Sequence, residues 1–126
     1  MQAECADARI FDAAWEKKAD VVIADLPCSG LGIIGRKPDI KYHTDIEKIE
    51  QLASLQREIL TVVQEYVKPG GTLVYSTCTI SRPENEENAA WFEKNFPFVR
   101  EGSAKQLLPG IDGTDGFFMV KFRKKL

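Results

Sequence analysis

Two short β-branched apolar runs, residues 20–27 (Asp-Val-Val-Ile-Ala-Asp-Leu-Pro) and 72–78 (Thr-Leu-Val-Tyr-Ser-Thr-Cys), stand on either side of a long stretch with helical periodicity. That order constrains the fold more than any other feature of the chain. Between the runs, Ile46, Ile49, Leu52, Leu55, Ile59, Val63 and Tyr66 recur every three or four residues, the spacing of one apolar helix face. Thr44 with Glu47 three residues on predicts a capping box at the start of this helix, and Lys68-Pro69-Gly70-Gly71 predicts its stop. Strand, long helix, strand is a right-handed crossover with parallel strands. The first run is apolar without alternation, which reads as a strand covered on both faces. Pro83, followed by Glu84, Glu86 and Glu87, predicts a second helix from Pro83 through about Lys94. Residues 96–100 and 116–123 read as strands that pair antiparallel at the sheet edge, joined through a turn-rich loop over 109–116. The fold class is α/β: one domain over residues 1–126, with a mostly parallel sheet and antiparallel edge strands.

Composition narrows the function classes. Apolar residues make up 44% and charged residues 29%, which suits a packed globular domain and not a disordered or fibrous chain. The net charge of −2 supplies no overall positive field for nucleic acid or an anionic membrane. No apolar run approaches the ~20 residues of a membrane span, and the opening residues do not form a signal peptide. Cys5, Cys28 and Cys78 are widely spaced and His43 is the one histidine, so the spacing of a zinc site is missing. The cysteines read as free thiols of a reducing cytoplasm. A thiol–disulfide protein would carry Cys-x-x-Cys, which this chain lacks.

Gly30-Leu31-Gly32-Ile33-Ile34-Gly35 matches G-x-G-x-x-G after a strand, yet a dinucleotide site needs the third glycine to open a helix. Here Arg36-Lys37-Pro38 follows, and Pro38 disfavours helical geometry at Lys37. The stretch reads as a glycine loop near a site.

The informative pattern is positional. Asp25-Leu26-Pro27-Cys28-Ser29-Gly30 ends one strand and Ser76-Thr77-Cys78-Thr79 ends the other. Open parallel sheets bind ligands beyond the carboxyl ends of their strands. If the two strands are neighbours, Asp25, Cys28 and Cys78 meet in one cleft, where a thiol is a candidate nucleophile. The bland alternatives are two buried cysteines and a turn-capping aspartate. Cys5 has no such context and reads as structural.

These stretches resemble the Sun/Fmu branch of the RNA cytosine-C5 methyltransferases. The resemblance rests on Asp25-Leu26-Pro27-Cys28-Ser29-Gly30, where the family usually has Ala after the Asp, and on Arg36-Lys37-Pro38-Asp39-Ile40-Lys41. It continues through Leu55-Gln56 with Ile59-Leu60, the run from Lys68 to Ile80, Glu84-Asn85-Glu86 and Asp115-Gly116-Phe117-Phe118. The matches occur in the family's order and cover nearly the whole chain. The resemblance implies a Rossmann-like class I methyltransferase fold, S-adenosylmethionine as cofactor, ribosomal RNA as substrate and no metal. It implies that Cys78 attacks cytosine C6 and that Cys28 assists release of the adduct. Asp25 would lie against the cytosine edge and the methionine end of the cofactor, Asp7 would hold the adenine amine, and the Pro27 carbonyl would accept from the exocyclic amine of the base. Arg36, Lys37 and Lys41 would touch RNA phosphates, although a solvated basic loop explains them equally. In DNA cytosine-C5 methyltransferases the Pro-Cys cysteine itself attacks, so Cys28 remains the rival nucleophile. Lys121, Arg123, Lys124 and Lys125 read as a solvated tail.

The family's first strands and Gly-rich cofactor turn have no counterpart before Asp7. The chain therefore reads as the C-terminal part of a larger enzyme, inactive by itself, or as a non-catalytic interaction module that keeps the fold. Either reading leaves a flank of the first strand uncovered, which predicts partnering across it, most simply as a homodimer, or poor solubility.

Overall fold

A computed structural model describes residues 2–30, 46–108, 111 and 115–126. Arg36, Lys37, Lys41, the Thr44 end of the capping box and most of the 109–116 loop lie outside the described residues. The elements are β1 (Ala19–Asp25), α1 (Ile46–Val63), β2 (Val67–Thr77), α2 (Glu86–Asn95), β3 (Phe98–Arg100), β4 (Lys105–Leu107) and β5 (Phe117–Lys124).

β1 and β2 pair in parallel, in register from Val21 opposite Thr72 to Asp25 opposite Ser76. This is the expected crossover pair. β5 then runs antiparallel along the other edge of β2, from Thr72 opposite Arg123 to Thr77 opposite Phe118. β3 and β4 both pair antiparallel with the far side of β5. The described sheet thus has one parallel pair and three antiparallel ones, a larger antiparallel share than expected. The cause is placement: β5 returns into the sheet between β2 and β3 and does not stay at its margin.

α1 buries Ala53, Gln56, Ile59 and Leu60. Of the expected stripe only Ile59 is buried, while Ile49, Leu52, Leu55, Val63 and Tyr66 are half-buried and Ile46 is exposed, because the packed face is turned toward 53, 56 and 60. It ends at Val63, passes through a 3-10 turn (Gln64–Tyr66) and enters β2 directly at Val67. Lys68-Pro69-Gly70-Gly71 therefore does not stop the helix but forms a bulged first part of β2, where the pairing slips between Ala19 and Val21. Gly70 has φ +80, and a Cβ on Gly71 would lie 2.9 Å from the main-chain oxygens of Asp20 and Lys68. The carbonyls left over at the helix end are met by Lys124, whose Nζ donates to Gln64 O (3.4 Å) and Val67 O (3.0 Å). Lys124 is buried, and Lys121 and Arg123 pair with Glu101 at 3.2 and 2.5 Å, so these cations belong to β5 and not to a free tail.

β5 alternates strictly, with Phe118, Val120, Phe122 and Lys124 turned inward. The Phe92 ring of α2 packs within 4.9 Å, centroid to centroid, of both Phe98 and Phe122. Leu60, Leu73, Tyr75 and Phe118 complete the same core. α2 begins at Glu86, three residues after Pro83, because Asn85 leaves helical geometry at φ −103, ψ −91. The Glu84 and Asn85 side chains turn inward instead.

β1 departs from the expectation of a strand covered on both faces. Val21 is 55% exposed and Ile23 72%, while Ala24 is buried. Among the described residues, no strand pairs with its second edge. The uncovered flank foreseen from the sequence is present. The preceding segment is tied to the 3-10 turn: the Tyr66 hydroxyl accepts from Asp12 N at 2.9 Å, and Phe11 stacks on the Tyr66 ring at 5.7 Å.

Candidate active site

Parallel pairing of Asp25 with Ser76 places the ends of β1 and β2 side by side. Ser76 Oγ donates to Asp25 Oδ1 at 3.1 Å. Three residues beyond Asp25 and two beyond Ser76, the chains bring Cys28 and Cys78 together with Sγ···Sγ 3.0 Å. The Cys78 amide also donates to Cys28 Sγ at 3.3 Å. Both thiols are half-buried, whereas Cys5 is exposed.

The two sulfurs are not equivalent. Burial, reinforced by the hydrogen bond with the Cys78 side chain, pushes the Cys28 thiol up to about 12; the amides of Cys78 and Gly30 pull the other way without cancelling it. At neutral pH Cys28 is therefore a thiol and not a thiolate.

A closed network of buried polar groups holds the cysteine loops. The Glu84 carboxylate is fully buried and accepts from Ser29 N (2.7 Å), Ser29 Oγ (2.7 Å) and Gln56 Nε2 (3.1 Å). Gln56, also fully buried, donates from the same amide nitrogen to Pro27 O at 2.8 Å, and its Oε1 accepts from Asn88 Nδ2 at 2.9 Å. The Tyr75 hydroxyl donates to the main-chain oxygen of Glu84. Ser29 Oγ lies 2.7 Å from Thr79 Oγ1, linking the loop after β1 to the loop after β2. Asn85 joins from the other side: its Oδ1 accepts from Thr77 Oγ1, and its Nδ2 donates to Thr79 O at 2.9 Å. The Pro27 carbonyl, expected to face a base, thus already has one protein donor.

Asp7 and Asp25 line one open cleft of about 520 Å³ together with Arg9, Pro27, Leu55 and Ile59. Asp7 is held by a fork from Arg9, with Nε to Oδ1 at 3.0 Å and Nη2 to Oδ2 at 2.7 Å. Hydrogen bonds from the Arg9 side chain and then its amide bring the Asp7 carboxyl down to about 2, so it stays charged through the physiological range. Asp25, Cys28 and Cys78 therefore meet at the strand ends, as expected, and Asp7 and Pro27 share the adjoining cleft with Asp25. No group of three or more His, Cys, Asp or Glu able to hold a metal occurs among the described residues. No described helix is long and apolar enough to cross a membrane.

Nothing in the sequence placed Gln56, Glu84, Asn85 or Asn88 at the site: Glu84 reads as a first-turn acid of the second helix, and Gln56 and Asn85 only as parts of motifs. Gln56 was visible as a polar residue four positions after Leu52 and three before Ile59, inside an otherwise apolar stripe.

Known proteins are similar to this chain in sequence and fold. The sequence profile of the family described as 16S rRNA methyltransferase RsmB/F matches residues 1–123. A probable ribosomal RNA small subunit methyltransferase B of Bacillus subtilis is 42% identical over 99% of this chain, which covers 32% of that protein. The crystal structure of PH0851 superposes with TM-score 0.89 at 34% identity, covering 94% of this chain and 30% of the other. The crystal structure of NSun6 from Pyrococcus horikoshii with SFG gives TM-score 0.76 at 29% identity, over 94% of this chain and 33% of the other. The chain thus spans about a third of the length of these proteins. Its sheet and helices correspond to part of the Rossmann-like fold of methyltransferases. With the family profile running over nearly every residue, from Asp7 through both cysteine loops to β5, the chain belongs to the RsmB/F family of 16S rRNA methyltransferases.

Proposed function

We propose that this chain is the C-terminal, catalytic part of an S-adenosylmethionine-dependent ribosomal RNA (cytosine-5)-methyltransferase, working in the cytoplasm. The observation that carries this reading is the 3.0 Å contact between Cys28 and Cys78 at the rim of two parallel strands, beside Asp25. The cleft lined by Asp7, Asp25, Leu55 and Ile59 offers carboxylates for polar groups and an apolar wall for a ring, which suits the cofactor. Asp7 and Asp25 would hold it, and its part is to supply an electrophilic methyl group.

The residues of the chain divide the remaining work. Cys78 Sγ attacks C6 of cytosine, and the electron pair of the C5–C6 double bond is pushed toward C5, making a poor nucleophile a competent one. After C5 is methylated, water takes the C5 proton, the C–H electron pair re-forms the C5–C6 double bond, and the Sγ–C6 bond breaks with its electron pair left on sulfur. Cys28, still protonated, hydrogen-bonds the departing Cys78 thiolate and so assists release. Asp25 faces the base edge, Pro27 O takes the exocyclic amine on its second lone pair, and Arg36, Lys37 and Lys41 contact RNA phosphates.

Covalent trapping of the full-length protein on 5-fluorocytosine RNA, with methyl donor present, tests the assignment. Cys78→Ala is expected to abolish the adduct and Cys28→Ala to retain it. Trapping by Cys78→Ala but not by Cys28→Ala would reverse the two roles. For the 126-residue chain alone we expect no methyl transfer, and tight S-adenosylmethionine binding in calorimetry would contradict that.

A further inference from the structure

We propose that Glu84 is a positioning residue for the Cys28 thiol. The inference rests on the reading of Cys28 and Cys78 as the acting thiols. Cys28 is gripped through the main chain on both sides. The carbonyl before it, Pro27 O, receives Gln56 Nε2 at 2.8 Å. The amide after it, Ser29 N, donates to Glu84 Oε1 at 2.7 Å. Gln56 in turn donates to that same Glu84 oxygen at 3.1 Å, so the two grips meet on one carboxylate. The second oxygen, Oε2, takes the Ser29 hydroxyl at 2.7 Å. That hydroxyl, having donated its one proton to Glu84, accepts from Thr79 Oγ1 at 2.7 Å, and Thr79 directly follows Cys78.

A carboxylate is the one side-chain group of this length that presents two acceptors to two donors on a single residue. Glutamine at position 84 would offer one acceptor and turn an NH₂ toward Ser29 or Gln56. Glu84 is fully buried and carried into place from β2, whose Tyr75 hydroxyl binds its main-chain oxygen. An acid needed only for solubility would sit on the surface, where burial costs nothing.

The test reads the distance between the thiols without RNA or methyl donor. In a Cys5→Ala background, the effective concentration of Cys28 toward Cys78 is measured by equilibration with glutathione disulfide. One thiolate attacks the reagent and releases one glutathione thiol. The other displaces the second glutathione thiol and closes the Cys28–Cys78 bond, so two protein thiols are oxidised and one reagent disulfide is reduced. Loss of registration by about 1 Å is expected to lower this effective concentration about ten- to hundredfold in Glu84→Gln. Ser29→Ala, which keeps the amide bond and loses the hydroxyl bonds, is expected to show a smaller drop. Far-UV circular dichroism and a cooperative melt establish that each variant is folded. Folded variants that both retain the wild-type effective concentration overturn the proposal; should Glu84→Gln not fold, Ser29→Ala decides alone, a drop supporting it and a wild-type value refuting it. A protein that fails to trap 5-fluorocytosine RNA while its thiol pair responds to Glu84 refutes the functional reading and leaves the clamp standing.

Discussion

Replacing Gln56 by leucine asks how much a closed polar network contributes inside an apolar helix face. The side chain uses its full capacity: Nε2 serves Pro27 O and Glu84 Oε1, and Oε1 is approached by Asn88 Nδ2 at 2.9 Å and the Tyr75 hydroxyl at 3.2 Å. Three of these partners keep a second bond, Asn88 to Ala53 O, Tyr75 to Glu84 O and Glu84 Oε1 to Ser29 N. Pro27 O loses its described donor. One orphaned carbonyl costs about 1–3 kcal/mol, and three weakened bonds about 1 kcal/mol each. Burying leucine in place of the amide returns about 2 kcal/mol. The net expectation is a loss of about 3 kcal/mol, a large share of the 5–15 kcal/mol that holds a typical domain together. Urea unfolding followed by circular dichroism measures it: at a slope of about 2 kcal/mol per molar, the midpoint falls by about 1.5 M with the slope unchanged. Crossing Gln56→Leu with Tyr75→Phe is expected to show coupling, since the two groups touch. A midpoint shift under about 0.3 M would refute the reasoning, because it would mean that water already satisfies these groups.

Three further outcomes follow from the same packing and hydrogen bonding. Cys28 has its ordinary value of 9.0 raised to about 12 by burial and the Cys78 hydrogen bond, so the folded state holds this proton more tightly than the unfolded chain. Its contribution to stability is present below about pH 9 and is lost as pH rises toward 12; the difference in unfolding free energy between wild type and Cys28→Ala, measured across that window, should shrink with pH, and a flat difference would contradict it. Gly71→Ala pushes a methyl to 2.9 Å from two main-chain oxygens that cannot swing away, and a loss of about 1–3 kcal/mol is expected in the same urea assay. The open edge of β1, with Val21 and Ile23 exposed, predicts that the 126-residue chain self-associates through that flank, and a strict monomer in light scattering would count against it.

What the sequence displayed was period, and what it concealed was the use of polar residues inside the core. The existence of α1, the alternation along β5 and the parallel β1–β2 pair follow from spacing, because helix and strand faces repeat at fixed intervals, although the packed face of α1 is turned from the predicted stripe toward 53, 56 and 60. The meeting of Asp25, Cys28 and Cys78 follows from that pairing, since neighbouring parallel strands must end at the same rim. Gly70-Gly71 misled because a glycine pair serves a helix stop and a strand bulge equally well. Lys124 passed for a tail residue because a lysine that caps the end of a helix 60 residues earlier in the chain has no local signature. β4 is three residues long, Lys-Gln-Leu, too short to show alternation. Pro83 marked a helix entry correctly in kind but three residues early, because Glu84 and Asn85 spend their side chains on the cysteine loops before α2 can begin.

The asymmetry of the thiol pair favours the proposed assignment of Cys78 as the attacking sulfur. Two cysteines at van der Waals distance cannot both ionise readily, since the first thiolate raises the cost of the second. Burial has already set Cys28 as the member that keeps its proton, and that proton can be offered to Cys78 across 3.0 Å. A sulfur that receives such a bond is stabilised as a thiolate, and a sulfur that supplies it is not. The network holds both thiols by their neighbours, Cys28 through Pro27 and Ser29 and Cys78 through the bonds of Thr77 and Thr79 to Asn85, so each sulfur is presented to the other from a fixed loop. A protonated Cys28 held beside Cys78 is the arrangement that the proposed reversible attack by Cys78 would use. Exchange the roles, and the nucleophile would be a thiol that burial holds in its protonated form. Rapid alkylation of Cys28 ahead of Cys78 by iodoacetamide at neutral pH, read by peptide mass mapping, would break this argument at its first step.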